Sequence, residues 1–141
     1  MRPLHDDGAR SIRVPTGRGD ELPHHELMAI DGIDPMVAPS GSGCADCEAL
    51  RGWWFHLRRC AQCGRIGCCD SSPEQHASRH AREQHHPWIQ SYEPGEDWYY
   101  NFDDQQTYEG PALAPPRHHP VDQAVPGPAG RVPADWQQLL H

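Results

Sequence analysis

Apolar positions in this chain are crowded into its middle. Before residue 44, hydrophobic residues are scattered among Pro, Gly and acids with no sustained period, and 38–43 (APSGSG) reads as a flexible lead-in. Between 44 and 104 lie four of the five Trp, both Phe and three of the four Tyr. Within that stretch, WWFHLRRC (53–60) is aromatic-rich and follows Gly52, which predicts a strand. SSPEQHASRHAREQH (71–85) predicts a helix opening at Ser72 and Pro73, with Glu74 and Gln75 close behind. PWIQSYEP (87–94) and WYYNF (98–102) predict two further strands about the turn EPGED (93–97). Seven prolines between 111 and 133 predict a disordered or extended tail, with DWQQLL (135–140) long enough for one helical turn. The organisation expected is a flexible segment 1–39, one folded domain 40–108 and a Pro-rich tail 109–141.

Composition narrows what that domain can be. Only 36% of the 141 residues are hydrophobic, and Gly (13) and Pro (15) are abundant, so little apolar area is available for a core. Small domains in that position are stapled by disulfides or metal, and six cysteines are available here. The formal charge of −8 argues against binding to a phosphate backbone. No apolar run is long enough for a membrane span, and the first 20 residues lack the apolar core of a secretory signal. A cytoplasmic protein is expected, in which Cys pairs more often serve metal or redox chemistry than structural disulfides. Lys is absent and Asn occurs once, at Asn101, while Ala, Gly, Pro and Arg are plentiful, a composition typical of a GC-rich bacterial genome. The tripeptide RGD (18–20) is read as chance.

The chemistry-bearing residues form one constellation. Cys44-x2-Cys47 is followed after twelve residues by Cys60-x2-Cys63, and four residues later by Cys68 and Cys69. Then come His76, His80, His85 and His86. Two Cys-x2-Cys pairs in a short chain signal zinc, because the x2 loop turns both sulfurs to one ion. On the predicted helix His76 and His80 lie on one face, one turn apart. The candidate donors exceed four, so more than one site is implied. Spacing alone also permits a single ribbon of Cys44, Cys47, Cys60 and Cys63. A zinc protease is disfavoured because HASRH places Ala, not Glu, beside the first His. A thioredoxin-like dithiol would need a βαβ context that is missing. Cys69 is a candidate redox thiol whose plainer reading is a packed, inert Cys.

The pattern CADC (44–47), CAQCGRIGC (60–68) and HASRHAREQHHP (76–87) resembles the zinc finger of ubiquitin-specific proteases, the UBP-type finger, and most closely its bacterial members. The resemblance implies a small α+β fold, an antiparallel sheet packed on one helix, with two interleaved zinc sites. Cys44, Cys47, Cys68 and His76 would hold one ion, and Cys60, Cys63, His80 and His86 the other. His86 is preferred to His85 because it precedes Pro87, and the gap after Cys63 selects Cys68 over Cys69. Family members that bind ubiquitin clamp its C-terminal tail with a Trp, an Arg and aromatics of the last strand. Those positions are Arg58, Asp70, and Tyr100 with Phe102 in this chain. The function expected is zinc binding that supports a non-catalytic protein- or peptide-interaction surface, with a receptor for a ubiquitin-like or peptide C-terminus as the alternative. Arg58, Arg59 and Arg65 are expected to line a groove facing an acidic partner, and no nucleic-acid or membrane partner is expected.

Overall fold

The computed structural model describes the backbone of residues 9–11 and residues 31–141. Expectations for the rest of the N-terminal segment, including RGD, lie outside the described residues. A six-stranded sheet runs in the order β1-β6-β5-β4-β2-β3. Its strands are β1 (Ala9–Ser11), β2 (Leu57–Cys60), β3 (Ile66–Cys68), β4 (Trp88–Ser91), β5 (Tyr99–Asn101) and β6 (Gln106–Glu109). Every pairing is antiparallel except β1 with β6. Two helices complete the domain, α1 (Ala45–Leu50) and α2 (His76–Gln84). Among the described residues no helix is long and apolar enough to cross a membrane.

Register assigns the two faces of the sheet. Arg58 pairs with Gly67 and Ser91, Cys60 with Ile89, and Ile89 with Tyr100, so these side chains share one face. Helix α2 packs there, close enough at Gly67 that an added Cβ would sit 2.9 Å from the Cα of Ala77. Leu57, Arg59, Ile66, Gln90 and Tyr99 alternate onto the other face. That face carries two apolar clusters: Trp54, Leu57, Ile66 and Tyr92 around three of the cysteines, and Ile33, Ala61, Tyr99 and Leu113.

The C-terminal segment corrects the expectation of a disordered tail. Its prolines do exclude regular elements beyond two 3-10 turns, Ala129–Arg131 and Trp136–Leu139. The segment is nonetheless anchored over the domain. Leu113 and His119 are buried, and His119 Nε2 lies 2.9 Å from Oε1 of buried Glu93. Gly127 makes a two-bond bridge with Trp54, and Arg131 donates to the Gly52 carbonyl. Arg59 is the central clamp. Fully buried, it donates to the carbonyls of Val37, Ala114 and Pro116 at 2.8–3.0 Å.

The bounds of the predicted elements also shift. β2 begins at Leu57, because the backbone of 54–56 bonds instead to Gly127, Ser72 and Cys69. The helix begins at His76, not near Ser72, whose hydroxyl accepts from Phe55 N–H rather than capping a helix. The strands after it and the Gly95 turn (φ +83) fall as expected.

Candidate metal centres

Each Cys-x2-Cys pair is shaped by local backbone. Cys44 is the N-cap of α1, and its sulfur accepts from Cys47 N–H at 3.4 Å. Cys60 ends β2, and its sulfur accepts from Cys63 N–H at 3.5 Å. The turn that brings Cys63 back requires Gly64, with φ +84, where a Cβ would stand 2.1 Å from the Ala38 carbonyl oxygen. Cys68 ends β3 and accepts from His76 N–H at 3.2 Å.

Helix α2 delivers the imidazoles. His76 opens the helix, and His80 follows one turn on. The exit turn at His85, left-handed at φ 60, swings His86 back under the helix, with His86 N–H donating to the Ala81 carbonyl. His85 itself is exposed and stands outside both clusters.

Two groups of four donor atoms result, one of Cys44, Cys47, Cys68 and His76, the other of Cys60, Cys63, His80 and His86. The expected interleaving is therefore the arrangement found, and the single four-cysteine ribbon is not. A tetrahedral zinc shell has edges of about 3.8 Å between sulfurs, 3.6 Å between sulfur and nitrogen and 3.3 Å between nitrogens. In the first cluster the Cys47 and Cys68 sulfurs are 3.9 Å apart, and His76 Nδ1 is 3.3–3.6 Å from all three sulfurs. In the second, Cys60 to His86 Nδ1 and Cys63 to His80 Nε2 are both 3.4 Å, and the two ring nitrogens are 3.3 Å apart. Both donor sets therefore have the dimensions of a zinc shell.

The electrostatics of the donors point the same way. In the first cluster, hydrogen bonds from the thiols of Cys47 and Cys68 lower Cys44 to about 4. The same hydrogen bond with Cys44 pushes Cys47 up, and Cys68 rises for the same reason. Three thiolates in one buried pocket repel, so one ionises and the others keep their protons; a dication relieves this. In the second cluster, burial raises Cys60 to about 11. Burial, then the neighbouring His86, lowers His80 and favours the neutral imidazole that a metal requires.

Cys69 lies outside both clusters, buried, its sulfur 3.5 Å from Ser72 Oγ. Burial raises this thiol, but hydrogen bonds from His56 and Ser72 and the charge of Arg58 outweigh that and bring it to about 7.

The other expected site residues part company. Arg58, Tyr100 and Phe102 do converge. With Asp70, Ala77 and Ile89 they line a recess of about 40 Å³ beside α2, Arg58 lying 4.8 Å over the Trp98 ring and Tyr100 edge-on to Phe102. Arg59 does not join them, because strand alternation turns it to the opposite face, where it holds the C-terminal segment. Arg65 pairs with Asp46 at 2.7 Å and faces a different groove. The three arginines therefore do not form one groove. Trp98, the partner of Arg58, had no distinguishing signal in the sequence beyond its place before a strand.

Two closed Cys/His clusters, threaded through one helix and the edge of a small sheet, define a zinc-finger module. The sequence profile described as Zn-finger in ubiquitin-hydrolases and other protein matches residues 44–112. A solution NMR structure of a protein from Rhodopseudomonas palustris is 34% identical, with a TM-score of 0.54, over 76% of this chain and 97% of that one. No curated protein matches the chain. The chain belongs to the zinc-finger family of ubiquitin hydrolases and other proteins.

Proposed function

We propose that the chain binds two structural zinc ions through these clusters and, so held, presents a non-catalytic surface for a protein or peptide partner. The observation that carries this is that each cluster supplies four protein donors at tetrahedral spacing. Four such donors fill a structural zinc shell and leave no position for a substrate. The ions would supply folding free energy that the thin core lacks, on the scale of about 10–16 kcal/mol for a structural zinc. Residues Cys44, Cys47, Cys68 and His76 fix α1 to β3 and the start of α2, and Cys60, Cys63, His80 and His86 fix β2 to its second turn. Native mass spectrometry is expected to count two zincs on the native chain and one on His80→Ala. A single zinc indifferent to His80→Ala refutes the proposal.

A second reading rests on the recess of Arg58, Tyr100 and Phe102. A buried guanidinium flanked by aromatic rings suits a peptide carboxylate. Exposed Asp70 on the same rim opposes it. Peptides with free and amidated C-termini separate the readings: binding lost on amidation supports a tail receptor, and binding indifferent to amidation supports a general interaction surface.

A further inference from the structure

We infer, on the reading that each cluster holds one zinc, that the centre of Cys60, Cys63, His80 and His86 is the exchangeable one, whereas that of Cys44, Cys47, Cys68 and His76 is sealed. All four residues of the first cluster are buried, with Cys44, Cys47 and Cys68 at 0% exposure and His76 at 4%. Its surroundings close on every side. Trp54, Leu57 and Tyr92 pack around the sulfurs, and Trp54 is itself covered by the C-terminal bridge to Gly127. On its far flank Arg131 ties the same segment to Glu48 and to the Gly52 carbonyl.

The second cluster has one buried member, Cys60, while Cys63 is exposed and both histidines are half-buried. It opens onto a groove of about 760 Å³ between α1 and α2, whose walls include Cys63, His80, His86, Asp46 and Glu83. A small multidentate ligand can therefore reach this metal without any element moving. Reaching the first requires the C-terminal segment or α2 to lift, which is a local unfolding event. The ligand sets add to the difference, since the sealed centre has three thiolates and the open one two.

The consequence is a defined one-metal state. His76 keeps the first turn of α2 anchored, while the second turn and the His86 return are released. Exchange would thus loosen one end of one helix and leave the sheet and the C-terminal segment in place.

The test uses the full chain loaded with cadmium-113, whose resonance moves downfield with each added thiolate. Two signals are expected at the start. EDTA is then added in steps, with native mass spectrometry of each sample. The two-thiolate signal should vanish first, and a one-cadmium species should accumulate that keeps the three-thiolate signal and loses its metal about tenfold or more slowly. Simultaneous loss, or earlier loss of the three-thiolate signal, overturns the inference. A starting sample with a single bound metal would instead overturn the two-zinc reading on which it rests.

Discussion

Gly67→Ala tests whether the metal centres depend on how closely α2 seats on the sheet. Gly67 lies in β3 directly beneath the helix. A Cβ there would meet Ala77 N and Cα at 2.9 Å and the His76 carbonyl carbon at 3.2 Å. All three are backbone atoms and cannot rotate aside. Ordinary carbon contacts are about 3.5–4.0 Å, so α2 must lift by roughly 0.6–1 Å at this point. Metal shells tolerate about 0.2 Å. The helix carries His76 and His80, so the strain reaches both centres. Overpacking of this kind costs about 1–3 kcal/mol. Expressed through the coupling of metal binding to folding, that is a loss of about 5- to 150-fold in zinc affinity. Competition with a chromophoric chelator measures it. Gly130→Ala is the control, because nothing lies within 4 Å of an added Cβ there. If Gly67→Ala keeps its zinc affinity within about twofold of the native chain, the seating of α2 does not set the metal centres, and the reasoning fails.

Two further substitutions probe other parts of the structure. Arg59→Met removes donors from the Val37, Ala114 and Pro116 carbonyls, which should cost about 2–4 kcal/mol and free the C-terminal segment. Trypsin should then cut after Arg117 much faster while two zincs remain bound; unchanged protection would show that the clamp is dispensable. His85→Gly places glycine at the left-handed exit of α2, φ 60, and should stabilise the holo protein by about 0.5–1 kcal/mol with two zincs retained. Loss of one zinc in that variant would make His85, not His86, the donor.

The metal centres were legible because ligand chemistry leaves a spacing record in the chain. The x2 loops, the four-residue step from His76 to His80, and Pro87 after His86 each report a geometric need. Elements too short to show a period left no such record. α1 is six residues, hidden inside what reads as a ligand spacer, and β3 is three residues between two metal turns. β6 follows a turn held by Asn101, whose side chain accepts from Asp103 and Asp104 N–H, and its Gln-Thr-Tyr-Glu is too polar to stand out. The C-terminal segment misled for a different reason. Proline density does exclude helix and strand, but order without repetition needs only buried anchors, and its anchors are Arg59 and Glu93, residues distant in sequence. Arg59 was assigned to a groove for the same reason: two adjacent arginines on a strand point to opposite faces, and the sequence does not say which face is covered.

Helix α2 ties these observations together. It is nine residues long, a length that is marginal in isolation, and its N-cap Gln75 makes no side-chain capping bond. Gln75 and His85 bracket it in left-handed conformations that cost non-glycine residues about 1 kcal/mol or more each. Its packing against the sheet is thin, with Ala77 and Ala81 the apolar residues that it buries. What holds the helix is therefore ligation, at His76 from one centre and at His80 and His86 from the other. The recess of Arg58, Tyr100 and Phe102 takes Ala77 of α2 as part of its wall, and Ile89 of β4 lies three residues after His86. A surface built on that recess exists only while α2 is seated. The metals thus do more than supply stability to a thin core: the occupancy of the open centre governs the helix that shapes the surface on which a partner would bind.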